Sequence, residues 1–437
     1  MKRVLIVMIQ PPGCSGVQAL IYNKLLPFFE CSDWEFHFAG PKPELVSVLT
    51  EDLNYPVERL HYTNNISLST QFSIKKNRYP KKTFTRFFFG CLQFLARMAE
   101  KLAGHNSDTF LLRGLEATIR DADRKLQFDL IAGKSPDFKV LKLVHDYTRA
   151  EKRPFVAMIV DPYGAREQHG FYPTEPELQK AIIDQSCGVL FMSPLTMDRY
   201  IELGLASREK ASYFTDAYPE IPDLYLKNRS QLATHSAHPA ASVPLRLVYL
   251  GMLPKWRPID AFLDAFKACL HSENTDWCMS LDVFGFVYPE ARTRIQGDQD
   301  LSRAIRIHSM ASYSESHWLA EDLDVQFVVI GPRHSDNYPS KFFEYLGHHK
   351  PLLVLGPMEN PLRQIVETLG IGLYVDGRKV DDILDALRTI RADYASFKQA
   401  YLTQQEAIEA FSAHRVAEEI CRTLDHSLAN YHKARSS

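Results

Sequence analysis

The chain has 437 residues, 45% of them apolar and 24% charged, with a formal net charge of −2. At roughly 150 residues per domain this length implies two to three domains, and the composition excludes wholesale disorder. There is no global basic excess to favour bulk nucleic-acid binding, and no apolar run long enough for a transmembrane helix is expected.

Met1-Lys-Arg followed by Val4 to Ile9 superficially matches a signal peptide. The apolar stretch is too short and runs into Pro11-Pro12-Gly13 without a small-residue cleavage site, so it reads as a first β-strand. The cysteines are Cys14, Cys31, Cys91, Cys187, Cys269, Cys278 and Cys421. Their odd number and the absence of CxxC spacing point to reduced thiols in a cytosol rather than to a disulfide or zinc framework.

Short apolar runs then alternate with helical periodicity. Strands are expected at 3–9, 34–39, 128–132, 154–160 and 188–192, and helices near 17–29, 107–125, 138–150, 176–185 and 195–204. The segment Asn228 to Pro244 is rich in Ser, Ala, His and Pro and reads as a linker. Beyond it, strands are expected at 246–250, 280–284, 304–308, 325–330, 351–355 and 372–375. Helices are expected at 258–270, 314–320, 339–348, 360–368 and 380–395, followed by continuous helix over 396–434. Strand–helix alternation in both halves implies two doubly wound α/β domains with parallel sheets. The expected division is a first domain over 1–227, a linker over 228–244, a second domain over 245–395, and terminal helices over 396–437 able to cross back to the first domain. A ligand belongs outside the carboxyl ends of the strands, with the cleft between two such domains as the default site. The GxGxxG fingerprint after strand one and the P-loop are both missing, which disfavours a Rossmann dehydrogenase and a P-loop NTPase.

The most informative stretch is Gly331 to Gly356. A strand runs into a polar loop, after which Pro339 and Ser340 open a helix with Ser340 as a capping residue. Backbone N–H groups at a helix start, the positive dipole end and Lys341 together suit a phosphate. Glu344, one turn deeper, suits a ribose diol. The run from Pro339 to Gly347, then Lys350-Pro to Gly356, resembles the donor-site segment of the GT-B-fold glycosyltransferases. The nearest resemblance is to the retaining family 4 in its bacterial surface-polysaccharide branches. Other segments fall in that family's order: Val248 to Gly251 with Lys255 and Arg257, Leu281 to Gly285, Ile305 to Ser316, Asp324, and Gly370-Ile-Gly372. The resemblance covers nearly all of 245–376. His348-His349-Lys350 departs from the small residue and glycine usual before Lys-Pro.

The resemblance implies a GT-B architecture, with two Rossmann-like domains facing across a cleft, and transfer of a sugar from a nucleoside-diphosphate-sugar donor. UDP is the first expectation for the donor nucleotide, and retention of configuration is implied. The acceptor is expected to be a saccharide or a lipid-linked saccharide in cell-surface polysaccharide or glycolipid synthesis. The family's paired carboxylates map onto Asp336 and Glu344, with Asp where the family has Glu. By resemblance Asp336 lies near the sugar, Glu344 near the ribose, and Lys255 and Arg257 on the diphosphate. Gly16, after strand one, resembles the second glycine of the family's N-terminal phosphate loop, with Ser15 in the first glycine's place. Asp161, at the carboxyl end of strand 154–160, is expected to serve the acceptor or a donor hydroxyl. Lys134-Ser135 is a weaker candidate.

No histidine spacing suits a metal, so no metal and no bound cofactor are expected, the nucleotide sugar being substrate. In residues 72–104, Lys75, Lys76, Arg78, Lys81, Lys82, Arg86, Arg97 and Lys101 meet a single acid, Glu100, beside apolar residues at helical spacing. This basic, aromatic segment suits an anionic membrane surface; the bland reading is a core-facing helix with a solvated loop. The expected location is the cytoplasm, peripheral to the inner face of the plasma membrane, with no nucleic-acid partner. The alternatives are a catalytically silent GT-B subunit, a nucleotide-sugar epimerase, and a nucleic-acid module resting on residues 75–86.

Overall fold

The computed structural model describes residues 1–14, 17–29, 33–46, 55–77, 83–102, 107–135, 138–160, 176–219, 245–271, 279–311, 315, 319, 323–332 and 338–436. The chain divides into two compact units, Met1–Thr215 joined by Ala413–Ser437, and Asp216–Ser412.

The first unit contains strands β1 (Lys2–Val7), β2 (Trp34–Pro41), β3 (Leu60–Thr63), β4 (Leu130–Lys134), β5 (Phe155–Ile159), β6 (Gly188–Phe191) and β7 (Ala211–Tyr213). They form one sheet ordered β3-β2-β1-β4-β5-β6-β7, with all pairs parallel. The crossovers carry helices α1 (Val17–Phe29), α2 (Pro43–Val46), α3 (Leu68–Asn77), α4 (Phe84–Leu102), α5 (Ser107–Leu126), α6 (Phe138–Glu151), α7 (Pro176–Gln185) and α8 (Pro194–Glu202). The inner strands are apolar runs because helices cover both faces of the sheet: Val4 to Val7 and Val156 are fully buried. The edge strands β3 and β7 were not expected. They are short, half exposed, and carry no apolar run to announce them.

The second unit contains β8 (Leu245–Leu250), β9 (Met279–Phe284), β10 (Ile305–His308), β11 (Val325–Val329), β12 (Leu352–Gly356) and β13 (Gly372–Asp376), all parallel and ordered β10-β9-β8-β11-β12-β13. Its helices are α9 (Asp260–Leu270), α10 (Pro289–Gly297), α11 (Gln299–Ala304), α12 (Ser340–Leu346), α13 (Leu362–Leu369), α14 (Val380–Ala392), α15 (Tyr394–Thr403) and α16 (Gln405–Glu409). One face of the sheet is closed by α9 and α14, where Phe262 stacks on Phe266 and Phe327. The other face is closed by α12 and α13 through Phe342, Tyr345, Leu362 and Val366.

The expected continuous helix over 396–434 is a correction: it is three helices, α15, α16 and α17 (Ala413–Ser436). At the second break, before α17, another partner takes the backbone. Tyr218 N–H donates to Phe411 O at 3.0 Å, and Tyr218 bridges to Ser412. From there α17 rejoins the first unit, packing on α1 and β6. Most of the helix expected at 314–320 lies outside the described residues.

Candidate functional site

In the second sheet the strand order reverses between β8 and β11, so a ligand crevice belongs outside the carboxyl ends of these two strands. The loops that follow them supply the residues read from the sequence.

The loop after β8 begins at Gly251, whose φ of 105° is strained for any other residue. A Cβ there would also lie 3.1 Å from Lys341 Cε and 3.2 Å from Lys341 Nζ. The loop continues across the end of β9, where Leu253 N–H donates to Phe286 O at 2.7 Å and Tyr288 N–H to Leu253 O at 2.9 Å. It then meets the end of β11. A Cβ on Gly331 would sit 2.2 Å from Trp256 O, so only glycine lets these two backbones approach. The loop thus spans three strand ends in a fixed path.

Its two cations take different positions. Lys255 reaches out to Glu290 on α10, with Nζ–Oε1 at 2.7 Å and the lysine side chain 78% exposed. The hydrogen bond and charge of Glu290 hold the lysine pKa above its ordinary value. Such an exposed pair is worth little, so Lys255 is easily drawn to another anion. Arg257 turns inward. Its guanidinium lies 4.6 Å from the Trp256 ring centroid, and Nη1 makes long contacts to Tyr249 Oη at 3.4 Å and Met252 O at 3.5 Å. Its Nε is buried without a hydrogen-bond partner.

The helix after β11 is short, and seven residues alone do not hold a helix in water. Packing holds it: Phe342, Phe343, Tyr345 and Leu346 are all fully buried. Tyr345 Oη accepts Leu250 N–H at 3.1 Å, which pins α12 to the end of β8, and burial pushes the phenol well above its ordinary pKa. The half-buried face that remains carries Ser340, Lys341 and Glu344. The expected capping role of Ser340 is a correction. Pro339 occupies the N-cap position, Ser340 is the first helical residue, and no side-chain cap bond forms. The fixed φ of proline supplies the extended residue that a cap position requires, so the helix starts one residue later.

The structure therefore brings Lys341 to Gly251, places Glu344 on the same helical face, and sets Trp256 and Arg257 on the neighbouring loop. Gly16, Asp161 and Asp336 lie outside the described residues. Ser135 is structural: its Oγ accepts Val160 N–H at 2.8 Å. Lys134 is the buried last residue of β4, with its ammonium 4.3 Å from the Tyr22 ring centroid. His348, one of the family departures, is buried and paired through Nδ1 with Gln326 Nε2 at 2.8 Å. Sequence reasoning missed Tyr249, Trp256 and Tyr345 as the aromatic frame of the site. The only signal was an aromatic between two cations in Lys255-Trp-Arg257. Among the described residues no group of three or more His, Cys, Asp or Glu side chains is placed to hold a metal ion. No described helix is long and apolar enough to cross a membrane.

No protein-family model matches the chain, and no curated protein matches it. Solved structures do. Sucrose-phosphate synthase from Thermosynechococcus elongatus is 15% identical with a TM-score of 0.63, over 98% of this chain and 100% of that one. Anabaena HepE, solved with UDP-glucose, is 13% identical with a TM-score of 0.56, over 97% and 100%. The UDP-GlcNAc 2-epimerase from Neisseria meningitidis, solved with UDP-GlcNAc, is 10% identical with a TM-score of 0.54, over 97% and 99%. At these identities the likeness shows the fold: the chain has the GT-B fold class, two Rossmann-like units with terminal helices.

Proposed function

We propose that the chain is a glycosyltransferase that moves a sugar from a nucleoside-diphosphate-sugar donor to a saccharide or lipid-linked saccharide. The observation that carries this reading is the ammonium of Lys341 set against the Gly251 backbone at the switch point of the second sheet. The positive φ of Gly251 favours glycine there, a Cβ would crowd the lysine tail, and the arrangement leaves a cation at the place where such sheets take phosphate groups.

The difficulty of the reaction is the negative charge that collects on the departing diphosphate. Lys341, the first-turn N–H groups of α12, Arg257 and a released Lys255 neutralise it, which is electrostatic catalysis without a metal in the proposal. Glu344 takes the ribose hydroxyls. Asp336 positions the sugar or supports the developing positive charge at the anomeric carbon, and Asp161 orients the acceptor hydroxyl. Gly16 approaches the donor phosphates. Membership of the retaining family 4, retention itself and a role in surface-polysaccharide or glycolipid synthesis belong to the same proposal. They are supported by the order of segments from Val248 to Gly372. UDP is the first nucleotide to test, since HepE and the Neisseria epimerase were solved with UDP-sugars.

The test is a thermal-shift series with UDP, GDP, ADP, dTDP and CMP, because a ligand that binds the native state raises the melting temperature. A shift with one nucleotide, lost in Lys341→Ala and Glu344→Ala, is the expected result. A well-folded protein that responds to none of them overturns the reading and leaves the silent subunit. The epimerase shares the fold, so the donor is also incubated without acceptor. Accumulation of its 2-epimer replaces the transferase reading with the epimerase.

A further inference from the structure

We propose that α4 docks this protein on an anionic lipid bilayer, its outer stripe seated at the headgroup boundary. The inference is independent of the donor-site reading. The bland alternative of a wholly core-facing helix does not describe α4. Phe84, Phe87, Phe88, Phe94, Leu95, Met98 and Leu102 are exposed by 81, 69, 48, 63, 59, 49 and 86%. At about 100° per residue these seven positions fall within an arc of roughly 120°, a single stripe along a helix of 19 residues. Contiguous exposed apolar surface of this extent marks an interaction site.

The polar groups of the helix pair are turned the other way. Gln93 is buried and accepts Lys76 Nζ at 2.8 Å. Glu100, the only acid between residues 72 and 104, accepts Ser69 N–H at 3.0 Å and Ser69 Oγ at 2.6 Å. It is therefore committed to the start of α3. Phe89 stacks on Phe72 of α3, closing the inner side. What α4 presents outward is the apolar stripe with the exposed cations Arg97 and Lys101 along its edge, and Lys75 is exposed on α3.

This charge pattern selects the occupant. Parallel pairing with α4 of a second copy would bring arginine and lysine together, and in either orientation α4 offers them no outward acid on its partner. An anionic bilayer offers apolar depth to the stripe and negative headgroups to Arg97, Lys101 and Lys75 at once. Nucleic acid would engage the cations and leave seven large apolar side chains in water.

The test is flotation of the full-length chain with vesicles of phosphatidylcholine alone and with phosphatidylglycerol added. Phe94→Trp serves as a second reporter by its emission. The expected result is binding and a blue shift only with the anionic vesicles, weakened by salt. Arg97→Ala with Lys101→Ala is expected to weaken partitioning roughly thirtyfold, from about a factor of five per cation. Phe94→Asp with Met98→Asp abolishes it. These exposed substitutions leave the melting temperature and any nucleotide-induced shift in place. Failure of the folded chain to float with anionic vesicles at low salt overturns the proposal. So does a dimer in light scattering that the aspartates dissociate, which would assign the stripe to a second copy.

Discussion

Lys341 on α12 lies against the backbone of Gly251 at the end of β8, its Cε 3.1 Å and its Nζ 3.2 Å from where a Cβ would stand. Two separate penalties therefore meet in Gly251→Ala. The positive φ costs about 1–2 kcal/mol, and the new methyl displaces the lysine tail. A melting-temperature loss of about 2–8 °C is expected, with a weaker nucleotide-induced shift. Lys341→Ala separates the two effects: its melting temperature stays near the parent's while the nucleotide shift disappears. An alanine at 251 that leaves both quantities unchanged refutes the close approach.

Tyr345→Phe tests the frame rather than the ligand. The phenol oxygen is the acceptor for Leu250 N–H inside a fully buried helix face. Removing it leaves a buried donor unsatisfied, at a cost of about 1–3 kcal/mol. The expected reading is a lower urea midpoint and a reduced nucleotide affinity, although Tyr345 is not proposed to touch the ligand. A stability equal to that of the parent would show that another acceptor takes the Leu250 N–H.

These residues also mark how much was legible in the sequence. Apolar runs such as Val4 to Met8 and Pro351 to Leu355 are buried on both faces and announced the central strands directly. The edge strands β3 and β7 were silent because Leu60-His-Tyr-Thr and Ala211-Ser-Tyr bury too little to need an apolar pattern. Lys341 and Glu344 were legible as a pair because residues three apart on a helix share a face. The frame around them was not. Tyr345 reads as one more aromatic in a buried run, and its partner is 95 residues away. That Lys255 turns to Glu290 while Arg257 turns to Tyr249 depends on a loop path that Gly331 permits, and no local pattern encodes it.

The first unit carries a histidine pair with a definite acid dependence. His37 Nδ1 faces His61 Nε2 at 3.0 Å, and His37 Nε2 faces Glu35 Oε1 at 3.1 Å, with Arg3 and Arg59 also on Glu35. Asp121 and Lys125 act on His61 from α5. Burial is the largest cause that lowers both imidazoles, and it brings His61 to about 4. Because the folded values lie below the unfolded ones, the neutral pair contributes stability in full above about pH 6.5. That contribution is lost as pH falls from there toward 4. Glu35, which burial raises but Arg3 and His37 outweigh and hold low, adds loss in the same direction at still lower pH. Melting temperature is expected to fall between pH 6.5 and 4, and His61→Asn should flatten that slope. An unchanged slope in the variant would remove the pair as its cause.

The seat of the terminal helix is testable at one position. A Cβ on Gly188 of β6 would lie 2.0 Å from Ser427 Oγ and 2.9 Å from its Cβ. Ser427 is buried, and its hydroxyl donates to Thr423 O at 2.8 Å, so turning the side chain away would break that bond. Gly188→Ala therefore forces α17 away from the sheet, and overpacking of this kind costs about 1–3 kcal/mol. Combining it with Ser427→Ala removes the nearer clash and keeps the farther one, so part of the loss should return. The measurement is a double-mutant cycle on the thermal transition of the first unit, where contacting residues couple by about 0.5–3 kcal/mol. Strict additivity of the two substitutions would mean that α17 does not seat on β6 at this glycine.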